Sequence, residues 1–595
     1  MAMTALALPP GVDTQASKLA AVNRWNSSNL IRFKDGHLQK LGGCQRIATD
    51  PLVGICRGLH AWDDLGGASY LAAGTDQRLQ VMSLGVIADI TPVDRTVTLS
   101  NPFTTVYDSA VVTVTDVNHG RTTGDWIIIS GASAVAGITL SGFYQITVLT
   151  ADTYTVTATS TASAGTTGGG SPTIQYLLGS DITQTVLAYG QGNYGGGPYS
   201  YGGLYDIGFL LRQWSLDNWG QDLVGCPTNG PPYLWVPPVA AGNVAAPIAG
   251  TGVPLFLTGL YVAMPEQQIF GFGAETGGVQ DPLLIRWCDV GDYTDWTASA
   301  TNQAGSFRLS SGSRIVGGLQ TTQSSLFWTD LDLWVAQYLG FPLVWGFNKV
   351  GINCGLVGMR AAAQTGSIVL WMGQSQFFLW NGASVAVLPC SVWDFVFNNL
   401  DRNYLDAVTA ASNSLFAEVT WYFPTVGSQG VADAYVKYNV ASQCWDYGTL
   451  TRSAWIDENV FGPPIGIDAN GYIQQHETAN DLDGVAMDSW AESGWFEISA
   501  GTVAVFLERL IPDLILSSGA TVLVTVQAAD FVGDAGGTGA VRTYGPFTVS
   551  AQTPWVIVRA RGRFASIKVE SQGLNSFWRL GMPLYSTQQA GRRTG

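Results

Sequence analysis

Thr365-Gly366-Ser367-Ile368-Val369-Leu370-Trp371-Met372-Gly373-Gln374-Ser375-Gln376-Phe377-Phe378-Leu379-Trp380-Asn381-Gly382 contains two short apolar runs separated by small and polar residues. Each run is too short for an amphipathic helix. Both are rich in the β-branched and aromatic residues that strands favour, and the second ends on Asn381-Gly382, a hairpin signal. The same texture recurs outward, at 69–73, 434–438 and 521–527, with turn dipeptides Asn470-Gly471 and Asp483-Gly484. Helical periodicity is confined to 392–399 and 358–363. The chain is therefore read as all-β.

Strands ending in Trp recur at roughly 40 to 50 residues, a period characteristic of propeller blades. They include Leu234-Trp235, Ile285-Arg286-Trp287, Leu326-Phe327-Trp328, Leu379-Trp380 and Cys444-Trp445. The stretch 91–173 differs. It is rich in Thr, Val, Ser and Ala, lacks Cys and Met, alternates cleanly in Val111-Val112-Thr113-Val114-Thr115, and ends in a Gly/Thr/Ser run. This composition predicts an inserted small β-sandwich or barrel on linkers. The expected organisation is an N-terminal arm and first strands over 1–54, and a β-propeller-like body over 55–90 and 174–500. The inserted domain occupies 91–173, and a C-terminal β-sandwich region with its tail covers 501–595.

The 595 residues contain 12% charged, 46% hydrophobic and 11% aromatic residues, with 72 glycines. A charged share of about half the usual ~25% rules out disorder as the main state. The net charge of −16 argues against sequence-specific nucleic-acid binding, because such a surface repels phosphate. Seven scattered cysteines with no CxxC pair read as reduced, buried thiols. The opening Met1-Ala2-Met3-Thr4-Ala5-Leu6-Ala7-Leu8-Pro9-Pro10 carries no cation before its apolar run, so no secretory leader is expected. No run of about 18 apolar residues predicts a membrane span.

Catalytic and metal signatures fail on context. Gly190-Gln191-Gly192-Asn193-Tyr194-Gly195 matches a dinucleotide fingerprint, but Gly196-Gly197-Pro198 follows where a helix must begin. Asp481-Leu482-Asp483-Gly484 resembles half a calcium loop, with Ala479 and Trp490 at ligand positions, and reads as a turn. His37, His60, His119 and His476 have no zinc spacing. No nucleophile elbow or P-loop occurs. The acids Asp63-Asp64, Asp330 with Asp332, and Asp457-Glu458 leave a glycosidase pair open, with solvated turns as the commoner use. The tryptophans read either as sugar-stacking platforms or, more commonly, as core. No cofactor, metal or catalytic residue is assigned, and the chain is not expected to be an enzyme.

Several segments together resemble the tail nozzle, or tail tubular, proteins of short-tailed double-stranded DNA bacteriophages. They are Asn23-Arg24-Trp25, Asn29-Leu30-Ile31-Arg32, Gly36-His37-Leu38-Gln39-Lys40-Leu41-Gly42-Gly43, the Gly/Tyr stretch 189–205, and Trp214-Ser215-Leu216-Asp217-Asn218-Trp219-Gly220. Further segments are Trp328-Thr329-Asp330, Gly351-Ile352-Asn353-Cys354-Gly355, Trp371-Met372-Gly373-Gln374 and Phe577-Trp578-Arg579-Leu580-Gly581. The resemblance covers most of the chain outside the insert. It implies a propeller-like structural virion protein, assembled in the host cytoplasm as a homohexamer at the tail. Its implied partners are the portal-adaptor ring, tailspike or fibre proteins, and passing double-stranded DNA. In such a ring Tyr189, Tyr194, Tyr199, Tyr201 and Tyr205 are candidates for a gate or interface loop. The alternative is a carbohydrate-binding or carbohydrate-cleaving tail protein acting on host surface glycan.

Overall fold

Short apolar strands can bury both faces only by stacking sheet on sheet. The computed structural model describes residues 3–15, 18, 24–179, 184–185, 209–240, 242–322, 324–498, 504–530 and 541–589. The chain forms two compact units, one of Met1–Thr49, Thr321–Val335 and Asn348–Gly595, the other of Asp50–Gln320 and Ala336–Phe347. Among the described residues the only α-helix is Trp393–Phe397, with 3₁₀ turns at Arg402–Ala407 and Ser414–Phe416.

The body is β-propeller-like and is built of four-stranded antiparallel meanders. Blade I comprises Cys56–Asp63, Ser69–Thr75, Leu79–Ser83 and Val86–Asp89. Blade II runs from Trp214–Trp219 to Ala246–Pro247, and blade III from Gly259–Ala263 to Gly305–Arg308. Blade IV comprises Ile315–Gln320, Ser325–Thr329, Leu333–Gly340 and Val344–Gly351. Blade V, Ala362–Thr365 to Val385–Leu388, holds the two apolar runs as paired strands, with Trp371 opposite Phe378 and Val369 opposite Trp380. Blade VI runs from Thr409–Asn413 to Cys444–Thr449.

Blade VII is completed from the other end of the chain. Its strands Ala454–Ile456, Ile465–Ile467 and Ile473–Ala479 are joined by Gly43–Arg46, with Gln475 opposite Gln45 and His476 opposite Cys44. Gly43 is required there because a Cβ would lie 2.1 Å from the Asp481 carbonyl oxygen. Between blades the aromatics interlock. Trp62, Tyr70, Trp214 and Trp235 share one buried cluster, and Trp214 lies against Gly74, where a Cβ would meet its ring at 2.2 Å.

The insert is a β-sandwich. One sheet is ordered Val93–Thr98, Thr173–Leu177, Trp126–Ser130, Gly142–Gln145. The other contains Thr147–Thr150, Thr153–Thr157, Val111–Thr115, Phe103–Thr104 and Thr167–Gly168. Alternation sends Val112, Val114, Tyr154 and Val156 inward to meet Ile127, Ile129, Ile174 and Tyr176.

The C-terminal region is β-rich and pairs with strands from the N-terminus. Met3–Ala5 pairs with Leu584–Gln589, Trp25–Asn29 with Ser489–Ser493, and His37–Lys40 with Trp578–Leu580. The segment 358–363, read as helical, instead turns into strand Ala362–Thr365, because a Cβ at Gly358 would sit 2.6 Å from the Leu405 carbonyl oxygen. Close backbone contact has overridden a weak local periodicity.

Candidate functional site

After strand Met3–Ala5 the N-terminal arm crosses strand ends of blades V and VI. Val12 donates its N–H to the Trp445 carbonyl at 2.8 Å, and Thr14 donates to the Ser391 carbonyl at 3.0 Å. The Ser391 hydroxyl returns a bond to the Val12 carbonyl at 2.6 Å. Gly11, at φ +102°, brings the arm so close to Cys444 that a Cβ would meet its Cβ at 3.0 Å. Beside the arm lies a groove of about 680 Å³, walled by Phe377, Val387, Leu388, Trp393, Tyr438 and Trp445.

Among the described residues Arg24 is the groove's one charged lining residue. Burial pushes the Cys390 and Cys444 thiols up to about 12 each and raises Tyr438, so none of the three is ionised at neutral pH. Among the described residues lining the groove there is no carboxylate or imidazole.

The second concentration of chemistry is buried. Arg32, on strand Ile31–Lys34, donates Nη2 to Glu418 at 2.8 Å and to Glu477 at 2.7 Å, and its plane covers Phe416. Burial opposes its charge, but the two carboxylates outweigh burial and hold its pKa above the ordinary arginine value. Burial likewise disfavours ionised Glu418, while Arg32 and then Lys437 reverse that and lower its pKa. Lys437 donates to the Ile31 carbonyl at 2.8 Å and lies 3.6 Å from Glu418 and 3.4 Å from Asp446. Asp446 fares differently. Burial lifts it to about 7 despite Lys437, and its Oδ1 has no hydrogen-bond partner. Next to this group Arg452 donates to His476 at 2.8 Å and to Gln474 at 2.7 Å, and burial drives the imidazole well below its ordinary pKa. The sequence signal for one of these residues is legible: in a chain only 12% charged, Lys437 is the single charged residue of its strand Ala434–Asn439.

The carboxylate pairs serve turns and strand ends. Asp64 accepts from Gly66 and Ala68, Asp332 accepts from Asn353 and Lys349, and Asp457 accepts from Ser414. Asp481 accepts from Gly484, and Asp483 pairs with Arg46, so the Asp481-Leu482-Asp483-Gly484 stretch is a tied turn. Of the 21 tryptophans, Trp555 at 48% is the one exposed; the remainder are buried or partly buried. Core packing is thus their predominant use. Tyr189, Tyr194, Tyr199, Tyr201 and Tyr205 lie outside the described residues. Among the described residues no helix is long and apolar enough to cross a membrane.

Segments quoted above for their family likeness meet in space. Leu38 pairs with Leu580, and Arg579 Nε donates to Gln39 at 2.8 Å, joining the opening segment to the closing one. Trp371 Nε1 donates to the Cys354 carbonyl at 2.8 Å, Trp328 packs edge-on against Trp371 at 5.5 Å, and a Cβ on Gly355 would meet the Asp330 carbonyl oxygen at 2.0 Å.

No protein-family model matches the chain, and no curated protein does. Among solved structures it is similar to a phage phi92 endosialidase at 10% identity and a TM-score of 0.20, over 62% of this chain and 52% of that one. It therefore spans about half the length of that endosialidase. An AfRom2 CNH domain matches at 9% identity and a TM-score of 0.29, over 48% of this chain and 86% of that one. A glycoside hydrolase family 43 arabinoxylan arabinofuranohydrolase from Bacillus subtilis matches at 10% identity and a TM-score of 0.20, over 91% and 99%. At these TM-scores the likenesses bear on no functional assignment.

Proposed function

We propose that this protein is a structural virion component: a homohexameric tail nozzle that binds the portal-adaptor ring, carries tailspike or fibre proteins, retains packaged DNA and conducts it during ejection. The observation that carries the reading is the convergence of the family-like segments. Gln39 and Arg579, 540 positions apart, are hydrogen-bonded within one small sheet. Residues scattered along a chain are expected to meet in this way when they specify one architecture together.

Physical chemistry supports the role. A conduit must hold DNA without creating energy wells, and a net charge of −16 per copy repels phosphate instead of binding it.

The test is solution mass by light scattering after size exclusion, with and without the adaptor ring. The expected result is a species near six times 63.3 kDa, alone or on the adaptor. A stable monomer indifferent to the adaptor overturns the reading. A trimer that releases sugar from host polysaccharide moves the assignment to the glycan-acting alternative.

A further inference from the structure

The acidity of the chain is unevenly spread. Residues 1–500 hold 19 Lys and Arg against 39 Asp and Glu, whereas residues 501–595 hold nine against five. In the C-terminal region four strands form one sheet in the order Met3–Ala5, Leu584–Gln589, Val505–Ile511, Val556–Gly562. These strands carry Arg509, Arg559 and Arg561 against a single carboxylate, Glu508.

Alternation gives the sheet two unlike faces. Leu507, Leu510, Val556, Val558, Ala560 and Tyr585 are buried on one. On the other, Met3, Ser586, Arg509 and Ile557 stand in one cross-strand row, and Ala5, Leu584 and Ile511 stand in the next. Trp555, the exposed tryptophan one residue before the last strand, holds its ring centre 5.6 Å from the Arg509 Cζ. Met3 and Ile557 are 43% and 53% exposed, and Ala5 and Arg559 are exposed as well.

We propose that this face is a membrane-contact surface that lies on a bilayer carrying anionic headgroups. Charge complementarity calls for an anionic partner, since the four strands carry three guanidiniums and one carboxylate. The apolar members are Met3, Leu584, Ile511 and Ile557 beside a single Trp; a hydrocarbon boundary accepts all of them, whereas sugar rings stack on aromatic faces. Indole beside guanidinium suits the headgroup level, where Trp sits at the interface and Arg meets phosphate. Four strands at ~4.8 Å spacing and ~20 Å length give a face on the order of 400 Å², below the ~800 Å² per partner of a standard protein interface. That area suits reversible peripheral attachment and not a lasting protein partner. The inference does not depend on the ring assembly proposed above.

The experiment is flotation of the full chain with vesicles of phosphatidylcholine alone or mixed in equal parts with phosphatidylglycerol, at low and high salt. The expected result is flotation with the phosphatidylglycerol vesicles only, weakened by salt because exposed charges are screened. Arg509→Glu with Arg559→Glu, and separately Trp555→Ser with Ile557→Ser, are each expected to weaken vesicle binding at least tenfold at an unchanged denaturation midpoint. Arg509→Lys with Arg559→Lys, which keeps the charge, is expected to float as the wild type does. No flotation, equal flotation with phosphatidylcholine alone, or unchanged flotation in both disruptive variants overturns the proposal. Binding to immobilised alginate as tight as to the vesicles, and lost in Trp555→Ser with Ile557→Ser, assigns the face to an acidic glycan and overturns the lipid partner. The ring reading is judged by solution mass and stands or falls separately.

Discussion

Arg32 illustrates how one side chain can tie several elements. Its guanidinium is shared by Glu418 and Glu477, all three being buried or nearly so. Removing it leaves Glu418 with Lys437 alone for a cation and Glu477 with the Asn413 amide, and breaking buried pairs of this kind costs about 3–5 kcal/mol. Arg32→Ala is expected to lower the unfolding midpoint in denaturant accordingly, and Arg32→Lys to recover little, because an ammonium cannot reproduce the planar fork. Asp446 acts in the opposite direction. Its folded pKa of about 7 lies above the ordinary carboxylate value, so between about pH 4 and 7 the folded state holds a proton the unfolded state has released. Its contribution to stability therefore falls as pH rises through that window, at up to about 1.4 kcal/mol per pH unit. Asp446→Asn, which stays neutral, is expected to gain on the wild type progressively from pH 4 to 7 and to run parallel above it. Denaturation midpoints across that range would show a constant difference if Asp446 were ionised throughout.

At the scale of elements, the strand Gly43–Arg46 closes blade VII by pairing across more than 400 residues of sequence. Its first residue has no room for a side chain beside the Asp481 backbone, so Gly43→Val must displace the strand or its neighbour. A loss of about 3 kcal/mol or more is expected, as for other severe backbone clashes, read as a lower thermal midpoint and faster amide exchange in Ile473–Ala479. The insert behaves as a separate element. Its two sheets enclose their own core around Ile127, Tyr154 and Tyr176, and the Tyr176 hydroxyl donates to Asp116 at 2.6 Å inside it. Residues 91–178 expressed alone are expected to unfold cooperatively, which calorimetry would register as a single transition; a chain without one would show that the sandwich depends on its host.

At the scale of the whole molecule, a net charge of −16 in a chain only 12% charged is compatible with the assembly proposed above. The weight of the functional reading therefore rests on solution mass, the measurement to which a conduit and a glycan-acting trimer give different answers.

The sequence by itself determined what depends on neighbours along the chain. Strand type, turn position and the foreign texture of the insert are carried by period-two alternation, Asn-Gly pairs and composition, all of them local. Ile368–Met372 and Phe377–Trp380 have the predicted limits for that reason. Only the tertiary structure decided which strands meet. A strand pattern states that one face is apolar but not what will cover it, so the pairing of Gly43–Arg46 with Ile473–Ala479, and of His37–Lys40 with Trp578–Leu580, was unreadable. The buried charges follow the same rule. Arg32 and Lys437 are ordinary strand cations until the fold withdraws water and sets carboxylates from distant strands beside them.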